Sequence, residues 1–326
     1  MAFVRGMLSG VEARGEPCEI YLSEAGIAPE LLEQFSARVT ADQYVALFRC
    51  LLERLDDESI GFLSRPLKRG SLALMTRSAL SAGTLELAMR RFAHTFHLLQ
   101  DDVVLTLVRE DALAGWALQL RDPSAAFPRF LHEMLLRFCW RLLAWLAGGK
   151  LPVVRFDFAF ESPPYAGNYG KVFPATLKFS CRHSAFWFDA TRLQERVRRD
   201  DAALRAFIDD VQAQLIVPKR GEAAVSADVR SHLQQAQPAW PDLASTADAL
   251  RMSTSTLQRR LANEGTSFQS LKDELRRDTA IVRLNTSQVS LATLAFELGF
   301  SDSASFQRAF KLWTGSAPGS YRHSAR

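Results

Sequence analysis

The chain has 326 residues, of which 48% are hydrophobic and 23% charged, with no long low-complexity run. These values fit a soluble globular protein of one large or two ordinary domains, and they exclude a chain too polar to bury a core. The formal charge is +4. Residues 230–326 hold 12 Lys and Arg against 8 Asp and Glu while the rest is balanced, so the basic excess lies in the last third, compatible with a polyanionic partner. In chain order, helical apolar spacing covers Leu31 to Leu55 and Thr84 to Gln100. The period then changes. DVVLTLVRE and GWALQLRD read as two strands joined by the short DALA connection. A proline-started helix spans Pro128 to Leu146. VVRFDFAF alternates, with Val154, Phe156, Phe158 and Phe160 on one face and Arg155 and Asp157 on the other. SPPYAGNYG reads as a loop, TLKFS and SAFWFD as strands, and Thr191 to Ile216 as a charged helix.

Past this point the strand signal ends. IVPKRGEAAVS carries Pro, Gly and small residues between two patterned regions and reads as a hinge. The expected division is residues 1–219 as an α+β regulatory and dimerisation domain, 220–228 as hinge, and 229–326 as an all-α domain.

The last hundred residues contain an internal repeat. LASTADALRMSTSTLQRRL from Leu243 aligns with LATLAFELGFSDSASFQRAF from Leu291, with one inserted residue. Leu243, Ala247, Leu250 and Ser253 match Leu291, Ala295, Leu298 and Ser301; Leu257, Gln258, Arg259 and Leu261 match Phe306, Gln307, Arg308 and Phe310. Each copy reads as short helix, tight turn, second helix, which is the layout of a helix-turn-helix, over residues 243–263 and 291–314. Ala247 and Ala295 are small where two helices must cross. Gly299 suits a left-handed turn position at which the first copy has Arg251, a less comfortable residue. Ser253, and either Ser301 or Asp302, are placed to cap the second helices. An unbroken helical stretch from Ser267 to Asn285 joins the copies; about fifteen residues of it span about 22 Å. With the flanking helices added, such a spacer sets two reading helices roughly one DNA turn, about 34 Å, apart.

If Leu257 and Leu261 point inward, Ser255, Gln258, Arg259 and Ala262 face outward; in the second copy the outward set is Ser303, Ala304, Ser305, Gln307, Arg308 and Lys311. Arginine matches guanine O6 and N7, glutamine matches adenine N6 and N7, and small residues permit close approach. The expected base-contacting residues are therefore Ser255, Gln258, Arg259, Ser303, Ala304, Ser305, Gln307 and Arg308. Ser253, Arg260, Arg276 and Lys311 are expected on phosphate. A plain helical bundle with solvated arginines accounts for one such helix but poorly for a duplicated pair.

On these residues the sequence resembles the AraC/XylS family of bacterial transcription regulators. Met252 to Leu271 and Leu294 to Arg322 carry the likeness, the second through Gly299-Phe300-Ser301, Phe306, Phe310, Lys311, Gly315, Pro318, Tyr321 and Arg322. The resemblance implies two helix-turn-helix subdomains, joined by a helix and acting on promoter DNA. RGSLALMTRSALSAGTLELAMRRFAHTFHLLQDD, VVRFDFAFESPPYAGNYGKVF and FWFD are similar to the arabinose-binding-type domain of one AraC subgroup, which implies an effector-binding and dimerising α+β domain. After FWFDATRL the chain departs from the subgroup, with QERVRRDDAAL where members often have Pro-Leu and an acidic turn.

Other chemistry is sparse. Cys18, Cys50, Cys139 and Cys181 have no metal or redox spacing and read as reduced, mostly buried thiols. His94 and His97 sit at i, i+3 without an assignable third ligand, so no metal is expected. No nucleophile elbow, P-loop or dinucleotide fingerprint is present, and neither a cofactor nor an enzyme activity is expected. Arg77, Arg155, Tyr165 and Tyr169 are candidates for effector binding. Phe92, Phe96, Phe127, Phe156, Phe158 and Trp187 read chiefly as core, with an apolar effector pocket as the other use. The segment Phe130–Gly149 is interrupted by Arg137 and Arg141, and MAFVRGMLSG lacks the apolar core of a signal peptide, so no membrane association and a cytoplasmic location are expected. The expected function is a sequence-specific regulator on double-stranded promoter DNA, a homodimer modulated by a small molecule or partner, touching RNA polymerase if it is an activator. The alternative is a ligand-independent dimeric regulator whose N-terminal domain only oligomerises.

Overall fold

The computed structural model describes residues 1–34, 37–121, 128–216 and 225–322, with the backbone alone for 168, 171 and 209–216. Phe127 and the hinge residues 220–224 lie outside the described residues. Thirteen α-helices and five strands follow in chain order among the described residues. Helices α1 (Ala2–Glu12) and α2 (Glu19–Glu24) precede a 3-10 turn at Pro29–Glu33 and α3 (Ala41–Leu55). Next come α4 (Ser71–Leu80), α5 (Leu85–Leu99), β1 (Val103–Glu110), β2 (Leu113–Leu120) and α6 (Arg129–Leu146). Strands β3 (Arg155–Asp157), β4 (Thr176–Lys178) and β5 (Ser184–Asp189) lead to α7 (Asp201–Ile216). The remainder is helical: α8 (Val225–Gln235), α9 (Leu243–Ala249), α10 (Thr254–Asn263), α11 (Phe268–Thr286), α12 (Leu291–Glu297) and α13 (Ser303–Thr314).

Several sequence boundaries shift, each for a local reason. The helix expected from Leu31 begins only at Ala41. Thr40 Oγ1 accepts from the Gln43 amide at 3.1 Å and Gln43 Oε1 from the Thr40 amide at 3.0 Å, a capping box that fixes the start of α3. The helix expected over 191–216 is split into a 3-10 turn at Ala190–Gln194 and α7, whose first turn is held by Asp200 Oδ1 on the Ala203 amide at 2.8 Å. The hairpin connection is shorter than DALA, because Leu113 pairs with Glu110 and Asp111 takes φ 51°, a conformation Asp tolerates. Residues 225–228, read from sequence as hinge, form the first turn of α8.

The described residues group into two compact units. One contains Ala2–Cys18 and the chain from Phe48 to the end of α7; the other contains Met1, Glu19–Leu47 and the described residues from Val225 onward. In the first unit the sheet order is β1-β2-β5-β3-β4, antiparallel except for β3 with β4. Alternation puts Trp116, Phe186 and Phe156 on one sheet face, where all are essentially fully buried. Phe92 of α5 meets Trp116 at 5.6 Å between centroids, and Trp140 of α6 meets Phe156 at 5.5 Å. The other face carries Gly115, where an added Cβ would fall 2.9 Å from the Trp187 ring.

In the second unit, the early segment Glu19–Leu47 packs with the C-terminal helices. The Tyr321 hydroxyl accepts from the Arg38 amide at 2.8 Å and donates to the Arg38 carbonyl at 3.1 Å. Asn285 Nδ2, near the end of α11, donates to the Gly26 carbonyl at 3.0 Å, and Gln43 Nε2 donates to the same oxygen. Tyr321 is buried, so removing its hydroxyl leaves two backbone groups without their partner. Tyr321→Phe is expected to weaken this packing by about 1–3 kcal/mol, seen as faster amide hydrogen exchange at Arg38 and in the first turn of α3. Unchanged exchange there would show that the hydroxyl contributes nothing.

Candidate nucleic-acid interface

Every helix from α9 to α13 is started by a side-chain oxygen. Asp242, Ser253, Ser267, Ser290 and Asp302 accept from the amides of Ser245, Thr256, Ser270, Thr293 and Ser305 at 2.7–3.2 Å. For the second copy it is Asp302 and not Ser301 that caps. The backbone amides hydrogen-bonded to Asp302 hold its carboxyl below the usual aspartate range.

The two copies have the same turn. Arg251 adopts φ 55° and Gly299 φ 73°, so the left-handed position is occupied in both. Space differs from conformation: a Cβ on Gly299 would lie 2.9 Å from Arg276 Nη2 and 3.4 Å from Trp240. Ala247 and Ala295 are buried at the crossings; Leu257 and Leu261 of α10, like Phe306 and Phe310 of α13, are fully buried. Opposite them, Ser255, Gln258, Arg259 and Ala262 are exposed on α10, and Ala304, Gln307, Arg308 and Lys311 on α13. Ser303 and Ser305 are half-buried flanks of that face. Several of these groups are bonded within their own helix: Gln307 Nε2 to Ser303 Oγ at 3.1 Å, Arg308 Nη2 to Ser305 Oγ at 3.0 Å, and Ser253 Oγ with Ser255 Oγ at 3.1 Å. Arg260 is exposed and turned about 100° from Arg259 around the helix.

Arg276 departs from its expected outward position. Its guanidinium lies 5.3 Å from the Trp240 ring centroid and 5.1 Å from that of Phe300, half-buried between them. Burial pulls its pKa below the ordinary arginine value. One turn earlier on α11, Lys272 Nζ donates to the Trp240 and Pro241 carbonyls at 2.8 and 2.9 Å. Trp240 Nε1 in turn donates to the Glu297 carbonyl, at the end of α12, at 2.9 Å. The loop before the first helix pair is thereby tied to the second pair across one face of α11. Sequence reasoning missed this brace; its signal was Lys272 and Arg276 at i, i+4 with the Trp240-Pro241 pair ahead of the repeat.

Residues 246–324 match a family described as "Helix-turn-helix domain". Residues 15–197, more than half the chain, match "Arabinose-binding domain of AraC transcription regulator, N-term". The chain belongs to the AraC family of transcription regulators. It is similar over nearly its whole length to the ornithine utilization regulator of Pseudomonas aeruginosa, 25% identical over 325 residues, covering 99% of this chain and 96% of that protein. It is also similar to the uncharacterized HTH-type transcriptional regulator Rv1395 of Mycobacterium tuberculosis, 29% identical over 324 residues, covering 94% and 91% respectively. Among solved structures, the transcriptional regulator CdpR of Pseudomonas aeruginosa aligns with 94% of this chain and 96% of its own at 21% identity and a TM-score of 0.36. An AraC-family chain with these two parts is a DNA-binding transcription regulator, not an enzyme.

In the unit that matches the arabinose-binding domain, the four expected effector residues have other partners. Arg77 is exposed and pairs with Asp201 at 3.4 Å. Arg155 pairs with Glu110 at 2.7 Å and Asp157 at 2.8 Å and lies 4.7 Å from the Trp187 centroid. Tyr165 and Tyr169 both donate to Glu133 Oε1, the former at 3.3 Å. Burial raises the Glu133 carboxyl and, with that carboxylate alongside, pushes Tyr165 up to about 12. Burial lowers the neighbouring His132 to about 4. Among the described residues no group of three His, Cys, Asp or Glu is placed to hold a metal, and no helix is long and apolar enough to cross a membrane.

The contrast between the two turns gives a paired expectation. Gly299→Ala should destabilise the helical unit by about 1–2 kcal/mol from backbone conformation alone, with the Arg276 contact adding to it. Arg251→Gly should stabilise by up to about 1 kcal/mol, the relief of conformation being partly offset by a freer unfolded chain. Denaturant unfolding of both variants checks this; equal effects in the two copies would mean that the turns are equivalent.

Proposed function

We propose that this regulator reads promoter DNA with α10 and α13 in successive major-groove segments. The observation that carries the reading is the pair of equivalent exposed faces, each with a Gln-Arg step, backed by buried leucines in one copy and phenylalanines in the other. Gln258, Arg259, Gln307 and Arg308 supply direct base readout; Ser255, Ser303, Ala304 and Ser305 line the close approach. Ser253 at the start of α10, Arg260 and Lys311 meet phosphate. Arg276 is assigned to the brace instead, because its guanidinium is already stacked between two rings.

The N-terminal unit acts as sensor and dimerisation module in this proposal. A small molecule bound there shifts the population of forms that present the two reading helices to DNA. A homodimer would add avidity, and RNA polymerase is the further partner if the protein activates. The ornithine utilization regulator's name supports a metabolite-responsive role, and the location that goes with it is the cytoplasm.

Genome-wide mapping of bound sites supplies the operator, and anisotropy titration then tests the readout. Arg259→Ala and Arg308→Ala should each weaken operator binding by about 1–3 kcal/mol and relax base preference locally. Lys311→Ala should weaken all sequences alike and reduce the salt slope by about one, whereas Arg276→Met should leave that slope unchanged. Wild-type binding by both Arg259→Ala and Arg308→Ala overturns the assignment of the reading faces.

A further inference from the structure

The N-terminal unit contains a cavity of about 520 Å³ among α3, α4, α5, α6 and α7, with Leu105 of β1 in its wall. That size is usual for small-molecule sites, and an apolar cavity of about 150 Å³ already holds benzene. None of the four effector candidates named from the sequence lines it. Phe48, Phe92, Phe96 and Phe138 contribute rings, and Leu52 and Met134 add aliphatic and thioether groups. The aromatic wall is formed in advance: the Phe92 ring centroid lies 5.6 Å from that of Trp116 and 5.9 Å from that of Phe138. Cys139 also lines the cavity, and burial pushes its thiol well above the usual range, so it stays neutral.

The polar groups of the site are few. Among the described lining residues, no side chain carries a hydroxyl, a carboxamide or an imidazole. A polyhydroxylated molecule entering there would lose its water and find few partners in exchange. Charge is confined to Arg49, Glu53, Glu58 and Arg69, two of each sign. Glu58 Oε1 accepts from the Gly70 amide at 2.8 Å and Oε2 from the Leu72 amide at 2.6 Å, which fastens the loop that carries Arg69. Burial raises the Glu58 carboxyl, while those two amides and the Arg69 charge act in the opposite direction. Arg49 has a partner already, and Glu53 stands one turn after it on α3 with the opposite charge. The rim is therefore balanced. An added anion meets Glu53 and Glu58, and an added cation meets Arg49 and Arg69.

We propose that this cavity is the small-molecule site of the regulator and that its ligand is uncharged and apolar: a hydrocarbon chain or ring among Phe48, Phe92, Phe96 and Phe138, with no more than an alcohol or carbonyl toward the charged rim. This rests on the sensor role proposed above for the N-terminal unit and adds the site and the ligand class to it. Binding takes the ligand and the wall out of water together and needs no ionic partner. Phe48 and Leu52 come from α3, Phe92 and Phe96 from α5, and Phe138 from α6. One ligand thus touches three helices and favours the form in which they pack around it.

The test uses the full chain and five probes: 1-octanol, octanoate, octylamine and 2-aminooctanoate, which share an eight-carbon chain, and arabinose. Isothermal titration should give binding of octanol, with the anion, the cation and the zwitterion each at least about tenfold weaker and arabinose without heat. Glu53→Gln, at an exposed position, unbalances the rim by one charge. It should lower the octanoate Kd at least about threefold and leave that of octanol unchanged. Met134→Trp should fill the cavity and abolish octanol binding, with circular dichroism confirming the fold. Leu135→Trp, at the next lining position, gives the same test if the first variant does not fold. A charged or zwitterionic probe that binds as tightly as octanol overturns the ligand class, and so does arabinose binding. An octanoate Kd unmoved by Glu53→Gln overturns the role given to the rim charges. Octanol binding that survives a folded, filled variant overturns the site, as does the absence of octanol binding. These readouts involve no DNA. Their failure with normal operator recognition would refute the cavity alone, and failure of the Arg259 and Arg308 variants to change operator binding would refute the reading faces alone.

Discussion

The segment ahead of the first helix pair and the turn of the second meet on one guanidinium. Arg276 projects from the middle of the linker helix between Trp240, which precedes the first helix pair, and Phe300, in the turn of the second. Two ring faces stabilise the cation, about 0.5–2 kcal/mol each depending on desolvation. Lys272 holds the backbone at Trp240, and the indole N–H reaches the end of α12. Each subdomain is small, with Leu257 and Leu261 buried in one and Phe306 and Phe310 in the other. The brace adds a second tie between two short modules joined by a helix of about 28 Å.

The turn geometry of the repeat follows the same logic. Gly299 is favoured by its left-handed backbone, and the Arg276 guanidinium lies where a Cβ would come within 2.9 Å of it. In the first copy Arg251 takes the same left-handed conformation, with φ 55°.

Much of the C-terminal region was legible because its signals are local. Caps at Ser253 and Ser267, the i, i+4 apolar pairs and the small residues at the crossings all act within a few residues, and the helices begin and end close to where those signals lie. Arg276 lay beyond that reach: its surroundings come from residues 36 positions before it and 24 after it and are invisible to periodicity. In the N-terminal unit, the strands were found because aromatic alternation is a local pattern, while the ligand candidates were chosen by residue type. Arg155 turned out to be neutralised by Glu110 and Asp157, and Tyr169 committed to Glu133. The cavity is lined by residues from five helices and a strand, which no window along the chain brings together. Nor could the sequence foretell that Glu19–Leu47 belongs with the C-terminal helices, since its anchors include hydrogen bonds of Arg38 with Tyr321 and of Gly26 with Asn285, far apart in the chain.

The two outward faces are equivalent in position but not in chemistry. One offers Ser255, Gln258, Arg259 and Ala262, the other Ala304, Gln307, Arg308 and Lys311. They follow each other in tandem along a single chain, joined by a stiff helix and locked by the brace. On the proposed assignment of the reading faces, a palindrome suits one protomer poorly: its site has a direction, and a protomer seated on it faces either toward or away from the start of transcription.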